Sequence, residues 1–143
     1  MPSFNIFDIA GSGMSAQTVR LNTTASNLAN ADSVSTTAGA AYKARHPVFK
    51  AVQSAANVHA GAAQAGASTA VKVLGIAQSQ DKVQARYEPG NPMANSEGYV
   101  YASNVNVVEE MADMISASRS YQNNVEVMNT SKDLMLATLK LGQ

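Results

Sequence analysis

Residues 104–141 read NVNVVEEMADMISASRSYQNNVEVMNTSKDLMLATLKL and form the longest helical pattern in the 143-residue chain. Their apolar side chains recur at alternating intervals of four and three residues, which is the spacing of a helix that packs along one stripe against another helix. Acidic residues come first and Lys140 comes last, an order that the helix dipole favours. The sequence therefore predicts a long C-terminal helix. Its stripe, here called the C-terminal seam, consists of Val107, Met111, Met114, Ser118, Tyr121, Val125, Met128, Lys132, Met135 and Leu139.

A second helical pattern covers residues 3–30, at the other end of the chain. It has the same spacing, but Gly11 and Gly13 each weaken an isolated helix by about 1 kcal/mol relative to alanine. Asp8 and Arg20 are its only charges, so the face opposite the stripe is not the usual charged surface. We predict a helix that is contacted on several sides in an assembly and is marginal alone. Its stripe, the N-terminal seam, consists of Phe4, Phe7, Gly11, Met14, Thr18, Leu21, Ala25 and Leu28.

The segment between the two helical patterns predicts a small β-rich module. Residues 70–87 and 98–101 have strand-like alternation, and Glu88–Pro92 is a turn signal between them. Residues 42–53 fit either a strand or a helix, whereas residues 54–70 are nearly all Ala, Gly, Ser and Gln and predict a flexible loop. The predicted fold class is therefore α+β, with long coiled-coil helices flanking the module and termini that are disordered in the monomer. The predicted domains are 1–31, 32–103 and 104–143.

The composition excludes several classes of protein. Aromatic residues make up 6% of the chain and tryptophan is absent, so few large rings are available to fill a dense core. The net charge is zero and no run of Lys and Arg occurs, which argues against nucleic-acid binding. The absence of cysteine excludes disulfides and thiolate metal sites. No apolar run is long enough to span a membrane, and residues 1–10 do not resemble a cleaved signal peptide.

No set of residues in the sequence predicts catalysis, a cofactor site or a metal site. His46 and His59 are the only histidines, and neither has a metal-ligand neighbour at helical spacing. Gly11–Gly13 resembles part of a nucleophile elbow but lacks its spacing and its preceding strand. Glu109 and Glu110 are adjacent and so point apart on a helix, which favours a role as helix-start charges. We therefore predict that the protein is not an enzyme.

Five short motifs carry a resemblance to a known family. The sequence Ser-Asn-Leu-Ala-Asn closes the N-terminal helix at residues 26–30, and its two asparagines flank a seam leucine. This motif resembles the signature of the flagellar rod and hook protein family. The other four match proximal-rod members of that family: YEPGNP at 87–92, GYV at 98–100, NVNVVEEM at 104–111 and ASRSYQNNV at 117–125. Together the resemblance covers roughly residues 4–50 and 84–143.

The resemblance implies a structural subunit of the proximal rod in the bacterial flagellar basal body. It implies export through the flagellar type III apparatus without a cleaved signal, and stacking in the periplasmic rod that transmits motor torque. The expected partners are copies of the chain and other rod subunits, reached through helix packing. The residues predicted to make these contacts are Phe4, Phe7, Met14, Leu21, Asn27, Leu28, Asn30, Val107, Met111, Met114, Tyr121, Val125, Met128, Met135 and Leu139.

One alternative belongs to a different functional class. A cytoplasmic helical adaptor or signalling coiled coil would also show two seams. It would not explain Asn27 and Asn30 or the Gly-Tyr-Val motif at residues 98–100. Localisation in the cell distinguishes the two interpretations.

Overall fold

The computed structural model describes residues 2–53 and 69–141, apart from the side chains of residues 2–4, 53 and 141. Within these residues, two long helices and five strands give the α+β class that the sequence predicts. The predicted loop at 54–70 lies almost entirely outside the described residues, and its last two residues begin a strand. The elements are α1 (Pro2–Ala29), β1 (Val34–Ser35), β2 (Arg45–Gln53), β3 (Thr69–Gln78), β4 (Gln84–Tyr87), β5 (Tyr99–Ala102) and α2 (Val107–Leu141).

The strands form two small sheets. One sheet has three antiparallel strands in the order β1-β5-β4, with Val34 opposite Ala102 and Tyr87 opposite Tyr99. The other pairs β2 with β3. β1 lies within residues 32–41, where the sequence has no strand pattern, and its two residues pair with β5.

The loop between β4 and β5 is shaped by asparagines and one glycine. Asn95 Oδ1 accepts hydrogen bonds from the backbone of Glu97 at 3.0 Å and of Tyr99 at 2.9 Å. Gly98 has a φ of 84°, a region that L side chains rarely adopt. A β-carbon there would also lie 2.8 Å from Cε2 of Tyr87, whose ring meets that of Tyr99 edge to face at 5.2 Å. The glycine of the Gly-Tyr-Val motif is therefore required by the backbone conformation and by the nearby Tyr87 ring.

Each helix has an asparagine at the end that lies nearest the β-rich segment. The Asn106 side chain accepts a hydrogen bond from the amide of Val108 at 3.1 Å, as an N-cap does. At the end of α1, the side-chain amide of Asn30 donates to the carbonyl of Ser26 at 2.8 Å. These contacts satisfy backbone groups that a helix end leaves unpaired.

The chain divides into two compact units, which we call unit A and unit B. Unit A comprises residues 1–19, 48–75 and 117–143, and unit B comprises residues 20–47 and 76–116. The buried apolar residues in the described part of the chain are six alanines and Val100. Alanine removes little apolar surface from water, so this burial contributes little stabilisation.

One buried or half-buried stripe of each helix consists of small and polar residues. In α1 it follows Ala10, Gly13, Gln17, Arg20, Thr24 and Asn27, and in α2 it follows Glu110, Ala117, Asn124 and Ser131. Each of these residues immediately precedes a position of the predicted seam. One residue corresponds to a rotation of about 100° around a helix. Large seam side chains lie beside this stripe; Met14, Met114 and Met128 are half-buried, whereas Met111 and Leu139 are exposed.

Candidate subunit interface

The side chain of Asn27 links three segments of unit B. Its Nδ2 donates to Oε1 of Glu110 at 2.7 Å and to the backbone carbonyl of Arg45 at 2.8 Å. Its Oδ1 accepts from the amide of Arg45 and from the hydroxyl of Tyr42, both at 3.0 Å. Asn27 is fully buried, and these four bonds use the two donors and two acceptor sites of its amide. An asparagine is needed here because the site presents both donors and acceptors.

Two further contacts organise the same unit. Arg20 Nη2 donates to Oδ1 of Asp113 at 2.7 Å, and this partly exposed pair contributes less than about 1 kcal/mol. The side chain of Asn104 accepts from the amide of Ala44 at 2.7 Å and donates to the carbonyl of Asp81 at 3.0 Å. The β-rich segment and α2 are thus connected within unit B mainly by asparagine side chains.

A cavity of about 340 Å³ opens beside these contacts in unit B. Its wall includes Glu110, whose Oε2 is buried and has no hydrogen-bond partner in the described part of the chain. Glu109 and Asp81, which are exposed, also line it, as does His46. The remaining lining residues are Ala44, Ser79, Asn104, Asn106, Ala112 and Asp113.

In unit A, α1 approaches α2 closely at a glycine. A β-carbon at Gly13 would lie 2.9 Å from Nδ2 of Asn124, so any larger residue would displace that side chain. Ser12 Oγ donates to the carbonyl of Ile9 at 2.8 Å and accepts from the amide of Val71 in β3 at 3.1 Å. The contacts of α1 in this unit are again small and polar.

The structure leaves many large apolar side chains of α2 facing outward. Val108, Met111 and Ile115 form an exposed stripe in unit B, with Val108 75% and Met111 52% exposed. In unit A, Leu139 is 70% exposed. Contiguous exposed apolar surface marks sites where proteins bind partners. The other exposed large apolar residues of this helix are Val107, Tyr121, Val127, Leu134 and Leu136.

The residues predicted to contact other subunits differ in how exposed their side chains are. Val107, Met111, Tyr121 and Leu139 are exposed. Asn27 is buried in its own unit, where it holds Glu110, and the Phe4 side chain lies outside the described part. The others are half-buried, namely Phe7, Met14, Leu21, Leu28, Asn30, Met114, Val125, Met128 and Met135. Their contacts with other subunits stay a prediction.

Sequence reasoning missed the residues that hold Asn27 and line the cavity. Glu110 was interpreted only as a helix-start charge, yet it is 4% exposed and bonded to α1. His46, which has no metal-ligand neighbour at helical spacing in the sequence, is exposed and lines the cavity. His59 lies outside the described residues.

No group of three or more His, Cys, Asp or Glu side chains within residues 2–53 and 69–141 is placed to hold a metal ion. In the same part of the chain, neither helix has an apolar stretch long enough to cross a bilayer.

Comparison with known proteins matches both ends of the chain to flagellar rod families. Residues 7–35 match the family model described as flagella basal body rod protein. Residues 96–141 match the model described as flagellar basal body rod FlgEFG protein C-terminal. These regions hold most of α1 and all of α2, so the chain is of the flagellar basal-body rod class.

Curated relatives match over their full length. The flagellar basal-body rod protein FlgC of Escherichia coli O6:H1 is 53% identical over 143 residues, with all of both chains covered. FlgC of Salmonella typhimurium strain LT2 is 51% identical and FlgC of Buchnera aphidicola from Acyrthosiphon pisum is 42% identical, again with both chains fully covered. The chain belongs to the family of the flagellar basal-body rod protein FlgC. This agrees with the rod resemblance and not with the adaptor interpretation.

Proposed function

We propose that the chain is a structural subunit of the proximal rod of the flagellar basal body and that it packs through its helices against copies of itself and other rod subunits. One observation carries the proposal. The contacts between α1 and α2 use small and polar residues such as Gly13, Asn124 and Asn27, whereas large apolar side chains on the same helices stay exposed. Those side chains are available to partners without unfolding the subunit.

The energetics favour burial of these side chains against a partner. Complete burial of one Leu, Ile or Met contributes about 1.5–3 kcal/mol. Val108, Met111 and Ile115 in unit B, and Leu134 and Leu139 in unit A, are each more than half exposed. Several such residues on one surface supply the apolar centre of a stable subunit interface.

A rod requires contacts that do not close on themselves. When one surface of a subunit binds a different surface of the next, the repeated contact generates a helical assembly. Exposed large apolar residues lie on both helices, with Ile6 and Ile9 on α1 and Val108, Met111 and Ile115 on α2. We expect the helices to pack there as coiled coils and to transmit motor torque along the rod.

Export and folding fit the same role. The proposed route is the flagellar export apparatus, without a cleaved signal, to a periplasmic position in the basal body. In unit A the described buried apolar residues are Ala10, Ala16 and Ala117. So small a core makes the terminal helix segments easy to unfold, and assembly then supplies the burial that orders them.

The proposal is tested by quantitative mass spectrometry of hook–basal bodies purified from the source organism. We expect the chain at a fixed ratio to other rod subunits in every preparation. Its absence from the particles, together with abundance in the cytoplasm, would overturn the assignment.

A further inference from the structure

The cavity of unit B has an excess of negative charge. Asp81, Glu109, Glu110 and Asp113 line it, and we call it the acidic cavity. Arg20 forms an ion pair with Asp113. Within the described part of the chain, no Lys or Arg forms an ion pair with the other three carboxylates. His46 is the one ionisable base among the lining residues.

Glu110 provides an observation independent of this clustering. Its side chain is almost fully buried, and Asn27 occupies Oε1. Oε2 has no donor among the described residues. A buried carboxylate oxygen without a hydrogen bond is unfavourable, so the site is incomplete as it stands. A donor that enters the cavity beside Glu110 would complete it.

The size and chemistry of the acidic cavity indicate what enters. Its volume of about 340 Å³ is far larger than the roughly 10–15 Å³ that one water needs. The described residues do not offer a metal-binding group. A guanidinium or ammonium group on a flexible stem fits better, because it supplies several donors and balances the carboxylates.

We infer that the acidic cavity receives an arginine or lysine side chain from an adjoining rod subunit. This inference rests on the proposed function, since only an assembly holds a neighbour in place. The inferred contact is an ion pair between subunits at the start of α2, here called the ionic anchor. It lies beside the apolar stripe of Val108, Met111 and Ile115. An ionic anchor would fix the register of a contact that apolar packing alone leaves free to slide.

A charge series at Glu109 tests the chemistry of the occupant. This residue is exposed, lines the cavity and forms no ion pair in the described part of the chain. Full-length Glu109→Gln and Glu109→Lys variants are expressed in the source organism in place of the wild type. Their amounts in purified hook–basal bodies are measured relative to another rod subunit. Glu97→Lys, in the loop before β5, is the matched control because it makes the same charge reversal away from the cavity.

We expect a loss of at least about tenfold for Glu109→Lys, a smaller loss for Glu109→Gln and wild-type incorporation for Glu97→Lys. Circular dichroism of the purified variants checks that the helices form. If both Glu109 variants incorporate like the wild type, the inference is wrong although the proposed function stands. Absence of the wild-type chain from the particles would instead defeat the proposed function itself.

A labelling experiment tests whether the cavity is covered. The chain has no cysteine, so Glu109→Cys introduces a unique thiol. We expect this thiol to react with a maleimide in the soluble protein, to resist it in intact hook–basal bodies and to react again once the particles are denatured. Full reactivity in intact particles would overturn the inference. If the thiol is protected in intact particles but the two Glu109 charge variants incorporate as well as the wild type, the occupant of the cavity is not basic. That result would also overturn the inference.

Discussion

The side-chain amide of Asn27 donates a 2.7 Å hydrogen bond to Glu110 and so connects residues 83 positions apart in the sequence. The same amide forms both a donor and an acceptor contact with the backbone of Arg45 at the start of β2. Within unit B, one residue therefore connects the end of α1, the start of α2 and Arg45, the first residue of β2. The asparagine of the Ser-Asn-Leu-Ala-Asn motif has a structural role in the subunit.

Replacement of Asn27 by alanine should destabilise unit B. It removes four hydrogen bonds and leaves the buried Glu110 side chain and the backbone of Arg45 without their Asn27 partner. We expect the free energy of unfolding to fall by about 2–4 kcal/mol, measured by urea denaturation followed by helical circular dichroism. Asn22→Ala, at an exposed position of α1, is the control and should change stability by less than about 0.5 kcal/mol. Equal stability of the two variants would contradict the role of Asn27.

The two glycines of α1 should respond differently to alanine. Nothing lies within 4 Å of a β-carbon at Gly11, so Gly11→Ala should stabilise the helix by about 1 kcal/mol. At Gly13 the β-carbon would lie 2.9 Å from Asn124, and displacement of that side chain should cancel part or all of the gain. Thermal unfolding of the two variants gives the comparison. A larger gain at Gly13 than at Gly11 would show that the helices do not approach closely there.

Gly98 should not tolerate a side chain. Its positive φ and the nearby Tyr87 ring both oppose a β-carbon, and we expect Gly98→Ala to cost about 1–3 kcal/mol. Gly90→Ala is the control, because that glycine has open space and no positive φ. Urea denaturation of both proteins provides the measurement, and a neutral Gly98→Ala would refute the backbone explanation of the Gly-Tyr-Val motif.

Hydrogen exchange should divide α1 in the isolated monomer. Residues 5–19 lie in unit A, where the described apolar burial is limited to alanine, whereas residues 23–27 lie in unit B around Asn27. We expect amides of the first group to exchange much faster than those of the second in dilute protein, measured by mass spectrometry after peptic digestion. Strong protection of amides along the whole of α1 would contradict the proposal that residues 5–19 become ordered only on assembly.

The helices were predictable from the sequence, but their orientation was not. Periodic spacing located both of them because local patterns decide helix formation. The sequence predicts contacts with other subunits for Met14 and Met111, and of these Met111 is exposed whereas Met14 is half-buried. Gly13 and Glu110, each one residue before a seam position, contact the other helix within their own units. Only the fold reveals which of two adjacent stripes is used.

The Asn27 contacts and the acidic cavity depend on separations that a sequence pattern does not encode. Asn27 meets Arg45 and Glu110 across 18 and 83 residues. The cavity draws Asp81 from the segment between β3 and β4 and Glu109 from α2. Neither carboxylate has a motif around it that predicts the other. β1 was missed for the same reason, since its pairing partner Tyr101 lies 66 positions beyond Ser35.

The central claim is that exposed apolar residues of α2 form the contacts between rod subunits. The most direct measurement is the incorporation of Met111→Asp and Leu139→Asp into hook–basal bodies, quantified by mass spectrometry against another rod subunit. Ser116→Asp and Asn129→Asp are matched controls, because each adds the same charge at an exposed polar position of the same helix.

We expect each seam variant to lose at least about tenfold in incorporation, while the controls stay within about twofold of the wild type. Helical circular dichroism of the soluble variants excludes a folding defect. If all four variants enter the rod at the wild-type level, these apolar faces are not the subunit contacts and the account is wrong.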